Sequence, residues 1–145
     1  MRESDLPKSL KVPDGFVLTA SRGDFTNHNG PVYRASAPGD LRSGLFVLNR
    51  HCNGMGFLHG GMASAFADRA LAIAVWDATA KLSVTLKLTM QFFETVRLHD
   101  WLEAHPRVVS DRDGIVQVTA DLRIRGEKLA VRADATFRTL RRPQI

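Results

Sequence analysis

The stretch from Met62 to Trp76, MASAFADRALAIAVW, constrains this chain more than any other part of it. It holds no proline or glycine and is rich in Ala, Leu and Met, all good helix formers. Apolar residues fall on nearly every side of the helix it would make, as in a buried helix rather than a surface one. It is no membrane span: such a helix needs about 20 apolar residues, and Asp68 and Arg69 interrupt this one. The covering must come either from a sheet that curls about the helix or from partner chains.

The rest of the sequence supplies that sheet. Val84, Leu86, Leu88, Met90 and Phe92 alternate with Thr85, Lys87, Thr89 and Gln91. Val116 to Arg125 and Leu129 to Arg138 repeat the alternation. Period-2 patterning gives one buried and one wetter face, typical of antiparallel strands. Trp101 to Ser110 reads as a further strand, less regular at Pro106. Asp113-Gly114 and Gly126-Glu127 supply turn chemistry between strands. Ahead of the helix, Val32 to Ala37 and Gly44 to Arg50 read as strands separated by Pro38-Gly39-Asp40. Residues 1–30 read as loop with a short extended piece at Phe16 to Ala20, and residues 1–14 as a flexible segment. The expected order is two strands, one buried helix and a four-strand meander. That is an α+β layout in a single domain spanning 1–145.

Composition narrows the classes. At 145 residues, 44% hydrophobic and 24% charged, the chain matches an ordinary globular domain and excludes disordered and collagen-like ones. Its lone cysteine, Cys52, excludes a disulfide scaffold, and no Cys/His cluster has zinc spacing. Met1 to Leu10 lacks the apolar core of a signal peptide, so a cytoplasmic protein is expected. The excess of 20 Lys+Arg over 15 Asp+Glu points to an anionic partner.

The start of the helix is where chemistry is legible. The first N–H groups of a helix lack internal partners and carry partial positive charge. Gly60 and Gly61 have no side chains to keep another molecule from those groups, and His59 and Asn53 flank them. Such a place suits a phosphate, a carboxylate or the oxyanion of acyl transfer. Asp68 is the second anomaly, since a carboxylate in an apolar helix is costly unless it is paired. Either it pairs with Arg69, Ser64 or a neighbouring strand, or it serves as nucleophile or general base. Eight residues at 1.5 Å each put it about 12 Å along the helix from Gly60, whereas a base works within roughly 3 Å of its target. One chain cannot aim both groups at one carbonyl; two chains with antiparallel helices can.

The run His51-x-Asn53-x-x-Gly56-x-x-His59-Gly60-Gly61, with Asp68 beyond it, resembles the hotdog-fold acyl-CoA thioesterases of the phenylacetate-degradation type. The resemblance spans about residues 15–140 and includes Gly30-Pro31-Val32-Tyr33, Ser83-Val84 and Ala133-x-Ala135-Thr136-Phe137. It implies a curved antiparallel sheet wrapped around one long central helix. It also implies hydrolysis of acyl-CoA thioesters without metal or cofactor, in a homodimer or homotetramer. Carried over by position, Gly60 would donate its N–H to the thioester carbonyl, and Asn53 would orient that group or the water. His59 would hold the loop, and the partner chain's Asp68 would attack or activate water. Ser83 matches a serine or threonine that assists the water. Gly61 would leave room for substrate, and Arg123, Arg125, Lys128 and Arg132, around the last hairpin, would meet the phosphates of coenzyme A. His51 reads as structural. The sequence departs from the family near Thr95 and His99, where members often carry proline and glycine.

Other classes remain to be weighed. A non-catalytic acyl-CoA-binding protein of the same fold would have no need of Asp68. A hydratase would show an Asp/His pair at the helix start. A nucleic-acid binder would carry aromatic residues on its polar strand faces. Neither nucleic acid nor membrane is an expected partner.

Overall fold

The structure is a computed structural model that describes residues 6–141. Its order is β1 (Phe16–Leu18), α1 (Asp24–Asn29), β2 (Tyr33–Ala35), β3 (Ser43–Phe46), α2 (Gly60–Thr79), β4 (Ser83–Phe92), β5 (Trp101–Arg112), β6 (Ile115–Ile124) and β7 (Lys128–Thr139). A 3-10 turn at Asn49–His51 takes the place of the end of the expected Gly44–Arg50 strand. The short helix α1 falls in a stretch that reads as loop. Its Asn-His-Asn sequence gives no periodic pattern over six residues.

All seven strands form one antiparallel sheet in the order β1-β2-β3-β5-β6-β7-β4. Only β5, β6 and β7 make a meander. The expected four-strand meander is corrected at β4, which pairs with β7 and forms one edge of the sheet. The long α2 between β3 and β4 carries the chain across the sheet, so β4 starts at the far edge. The Asp113-Gly114 turn closes β5 onto β6 with both residues left-handed, at φ 54° and 77°. The next turn centres on Arg125-Gly126, at φ 56° and 72°, one residue earlier than the sequence suggests.

The helix lies on this sheet along one stripe. Ala63, Phe66, Ala67, Ala70, Leu71, Ala74 and Val75 are buried, at the i, i+3, i+4, i+7 spacing of a single helix face. They meet Val116, Val118, Ala120 and Leu122 of β6 and Ala133, Ala135 and Phe137 of β7. The opposite stripe, Ala65, Ala72 and Ile73, is only half-buried, and Trp76 is 52% exposed. The helix is thus apolar over most of its circumference, although its own sheet covers only one side and the other side also carries Asp68 and Arg69.

A second cluster occupies the other side of the sheet. Leu6, Leu10, Val12, Phe16 and Leu18 pack on Tyr33, Phe46, Leu48 and Trp101. From residue 6 the first segment therefore lies against the sheet; residues 1–5 fall outside the described ones.

Candidate active site

The loop before α2 is built by side chains that serve its backbone. Asn53 Oδ1 accepts the N–H groups of Met55 (2.9 Å) and Phe57 (3.2 Å), which fixes the turn at Gly56. Its amide nitrogen has no partner among the described residues. His51 is 1% exposed. Its Nδ1 accepts the Leu48 N–H at 3.0 Å, and its Nε2–H donates to the Asn29 carbonyl at 2.6 Å. Burial holds this imidazole neutral by lowering its pKa, and Arg50 adds to that. The His51 carbonyl in turn accepts the His59 N–H at 2.8 Å. His51 is thus structural, as its sequence context implies, and it locates the start of α2.

His59 is the N-cap of that helix. Its Nδ1 accepts the Gly61 N–H at 2.8 Å, and its carbonyl accepts the Ala63 N–H at 3.0 Å. The Gly60 N–H is left without a partner among the described residues. A Cβ on Gly61 would come within 3.0 Å of the His59 ring, so only glycine lets the cap close this tightly. At Gly60 a Cβ would meet nothing nearer than Phe92 at 3.6 Å. Beside this helix start lies an open cavity of about 210 Å³ lined by Asn53, Phe57, Ala63, Phe92, Glu94 and Thr95.

Asp68 stands two turns further along. Among the partners its sequence context allows, it takes the strand: Thr85 Oγ1 donates to Asp68 Oδ1 at 2.6 Å. It makes no ion pair with Arg69, and Ser64 donates instead to the Gly60 carbonyl. Asp68 lines a second cavity, of about 140 Å³, with α1 on its other wall. The two cavities share no residue.

Thr85 is a site residue that the sequence reading missed. The alternation there suggests Val84 and Leu86 on the buried face, but the β4–β7 register shifts between Thr85 and Lys87. The bulge exchanges faces: Thr85 reaches the helix ahead of it, and Leu88 and Met90 pack on the core behind it. Val84 and Leu86 are left 44% and 54% exposed. Ser83, the expected helper, shares the face of Thr85 by the two-residue period but makes no bond to Asp68.

The four basic residues separate. Arg123 and Arg132 lie on the face of the sheet away from the helix, both bonded to Asp121 at 2.9 and 3.0 Å. Burial raises the Asp121 pKa, but the two arginines outweigh it and hold the carboxyl below its ordinary value. Arg125 sits exposed in the β6–β7 turn. Lys128 pairs at 3.1 Å with Glu94, which lines the cavity beside Asn53. Among the described residues no cluster of three or more His, Cys, Asp or Glu side chains could hold a metal ion. No helix there is long and apolar enough to cross a membrane.

One long helix clasped by a curled antiparallel sheet is the hotdog architecture, the class expected from the sequence. Comparison with known proteins agrees. The model of the thioesterase superfamily matches residues 55–131. The chain is 33% identical over 132 residues to "Putative esterase PA0474" of Pseudomonas aeruginosa, covering 88% of this chain and 97% of that one. Among solved structures, PaaI from the phenylacetic acid degradation operon of E. coli superposes with a TM-score of 0.65 at 19% identity, over 69% of this chain and 72% of its own. A hypothetical thioesterase protein of Streptococcus pneumoniae, solved with coenzyme A, gives 0.64 at 19%, over 68% and 78%. The chain belongs to the thioesterase superfamily.

Proposed function

We propose that this thioesterase hydrolyses acyl-CoA esters at a site shared by two copies of the chain. The observation that carries the reading is the separation of the polar groups. An open Gly60 N–H and the spare Asn53 amide stand at the helix start, and a Thr85-held carboxylate stands about 12 Å along the same helix. Antiparallel pairing of two α2 helices sets the Asp68 of one against the Gly60 of the other. The half-open stripe of α2 and the free edge of β4, with Trp76, Val84 and Leu86 exposed, offer apolar surface for such a pairing.

In this site the thioester carbonyl accepts the Gly60 N–H, where the helix dipole favours the charge that develops on oxygen. Asn53 donates from its free amide. Asp68 either takes a proton from water or attacks the carbonyl itself. When water attacks, its oxygen forms the new C–O bond, the C–S bond breaks, and the proton taken by Asp68 passes to the departing thiolate of coenzyme A. When Asp68 attacks, the C–S bond breaks to leave a mixed anhydride and a thiolate that is protonated, and water then cleaves the anhydride to release the acid and restore the carboxylate. Thr85 orients the carboxylate, with Ser83 on the same face to assist the water. His59 holds the loop, and Gly61 keeps it narrow. The reaction needs no metal or cofactor, and the enzyme works in the cytoplasm as a homodimer or homotetramer. For the phosphates of coenzyme A, Lys128 is the best placed of the four basic residues because Glu94 holds it beside the Asn53 cavity; Arg125 is next, and Arg123 and Arg132 would have to leave Asp121.

The test is hydrolysis of acetyl-, hexanoyl-, lauroyl-, phenylacetyl- and benzoyl-CoA by wild type and Asp68→Asn. A Cys52→Ser background removes the native thiol from the thiol-release assay. Asp68→Asn is expected to fold and to lose about 10²- to 10⁴-fold in rate. Equal rates would remove Asp68 as the catalyst. Binding of coenzyme A without hydrolysis of any ester would make the protein an acyl-CoA binder.

A further inference from the structure

Arg69 stands beside the site, and the mechanism leaves it idle. It follows Asp68 on α2, and burial depresses its pKa. Its Nη1 is sealed from solvent without a hydrogen-bond partner, and its guanidinium forms no hydrogen bond or ion pair among the described residues. A guanidinium carries five N–H donors and stays charged. Holding one half-buried with no acceptor is costly, and an apolar residue there would serve the fold better. Local rules of this kind are broken mainly where function requires it.

The surroundings indicate what would satisfy it. Arg69 and Asp68 line the same cavity of about 140 Å³, between α1 (Phe25, Thr26, Asn29) and α2 (Phe66). A dry cavity of about this size holds a benzene ring, so a group of about six heavy atoms fits. Its walls are chiefly apolar, with Thr26 offering a hydroxyl that takes no hydrogen bond among the described residues. An acyl group whose carbonyl lies at Asp68 would extend its tail into this cavity, towards Arg69.

We propose that Arg69 receives a carboxylate at the far end of the acyl group, so that the preferred substrates are CoA esters of short dicarboxylic acids, succinyl or glutaryl in length. The inference rests on the thioesterase reading above and names its substrate class. The guanidinium matches a carboxylate in a two-pronged geometry, and the apolar walls accept the intervening methylenes.

The readout is the ratio of kcat/KM for succinyl- and glutaryl-CoA to that for butyryl- and valeryl-CoA. Wild type is expected to favour the acidic esters, and Arg69→Met to lower that ratio by about 10- to 100-fold, chiefly through KM, as loss of a charge-assisted hydrogen bond would. Arg69→Lys should recover part of it. Arg69→Met should also melt higher than wild type without ligand, because an unpaired buried charge is gone. A ratio near one in wild type, or one that Arg69→Met leaves unchanged, overturns the proposal. So does a variant that melts lower and changes oligomeric state, which would assign Arg69 to a subunit contact. If wild type hydrolyses none of these esters, the thioesterase reading falls separately. Calorimetry with glutarate then decides the inference: heat in wild type that Arg69→Met loses supports it, and no heat overturns it.

Discussion

Asp68 occupies a helix position where alanine would cost less, and the structure shows what makes the carboxylate tolerable. A 2.6 Å hydrogen bond from Thr85 and partial exposure to a cavity replace part of its hydration. His51 solves the same problem in the opposite way, by staying neutral. Its folded pKa lies below the ordinary 6.5 because burial disfavours the imidazolium. The unfolded chain therefore binds the extra proton first, and stability falls as the pH drops from about 6.5 towards the folded value. Asp40, bonded to Arg42, and Asp121 are both held below the ordinary 3.8, so their contributions are lost only in stronger acid. Melting temperature measured from pH 7.5 to 4.5 should therefore decline below about 6.5. His51→Gln should melt lower at pH 7.5 by the loss of a buried hydrogen bond, about 1–3 kcal/mol, and should show a flatter acid slope. An unchanged slope would remove His51 as its source.

Single elements show how far local pattern carries. The alternation in β6 and β7 gave their faces correctly because both strands are central and paired on both sides, and the β6–β7 register shifts only near their turn, between Leu122 and Arg123. It failed in β4, where a bulge that no residue type announces turns Thr85 inward and Leu86 outward. His99 is a related case. It adopts φ 70°, the left-handed backbone that favours glycine, so the loop makes a glycine-like turn without a glycine. Gly44 on β3 meets a constraint of another kind. The Trp101 ring of the neighbouring strand lies over it, and a Cβ would fall 2.0 Å from that ring. Trp101 anchors the cluster that holds Leu6, Leu10 and Val12, with Phe16 and Phe46 rings at 5.2 and 4.8 Å. Gly44→Ala should cost about 1–3 kcal/mol or more as the ring is displaced. Urea unfolding followed by tryptophan fluorescence would read both the lower midpoint and the altered native spectrum. A wild-type midpoint would show that the sheet yields more easily than this packing implies.

At the scale of the whole molecule, the proposed reading requires two copies of the chain. The cavity beside Gly60 and the cavity beside Asp68 are separate in one chain, and the symmetric dimer proposed above would bring each against its complement. Mixed dimers give the sharpest check. Asp68→Asn and Asn53→Ala chains, each weak alone, place both lesions in one site of a heterodimer and leave the other site intact. Equal mixing should restore about a quarter of wild-type activity, since half the dimers are mixed and each carries one sound site. No recovery after confirmed subunit exchange would mean that each site is built within one chain.

The sequence alone determined the α+β class of the fold, and its resemblance to the thioesterases indicated the kind of chemistry. The fold class rests on local signals: a largely apolar stretch free of proline and glycine from Met62 to Trp76, two-residue alternation and turn residues. The resemblance rests on a glycine pair at a helix start followed by a lone carboxylate. Each is written in neighbours along the chain. The tertiary structure decided what depends on strangers meeting. It moved β4 to the far edge beside β7, turned Thr85 onto Asp68, tied Arg123 and Arg132 to Asp121 on the opposite face, and left Arg69 unpaired in a cavity closed by α1. Those outcomes depend on register, sheet order and the space between elements, which residues distant in sequence fix together and no local pattern encodes.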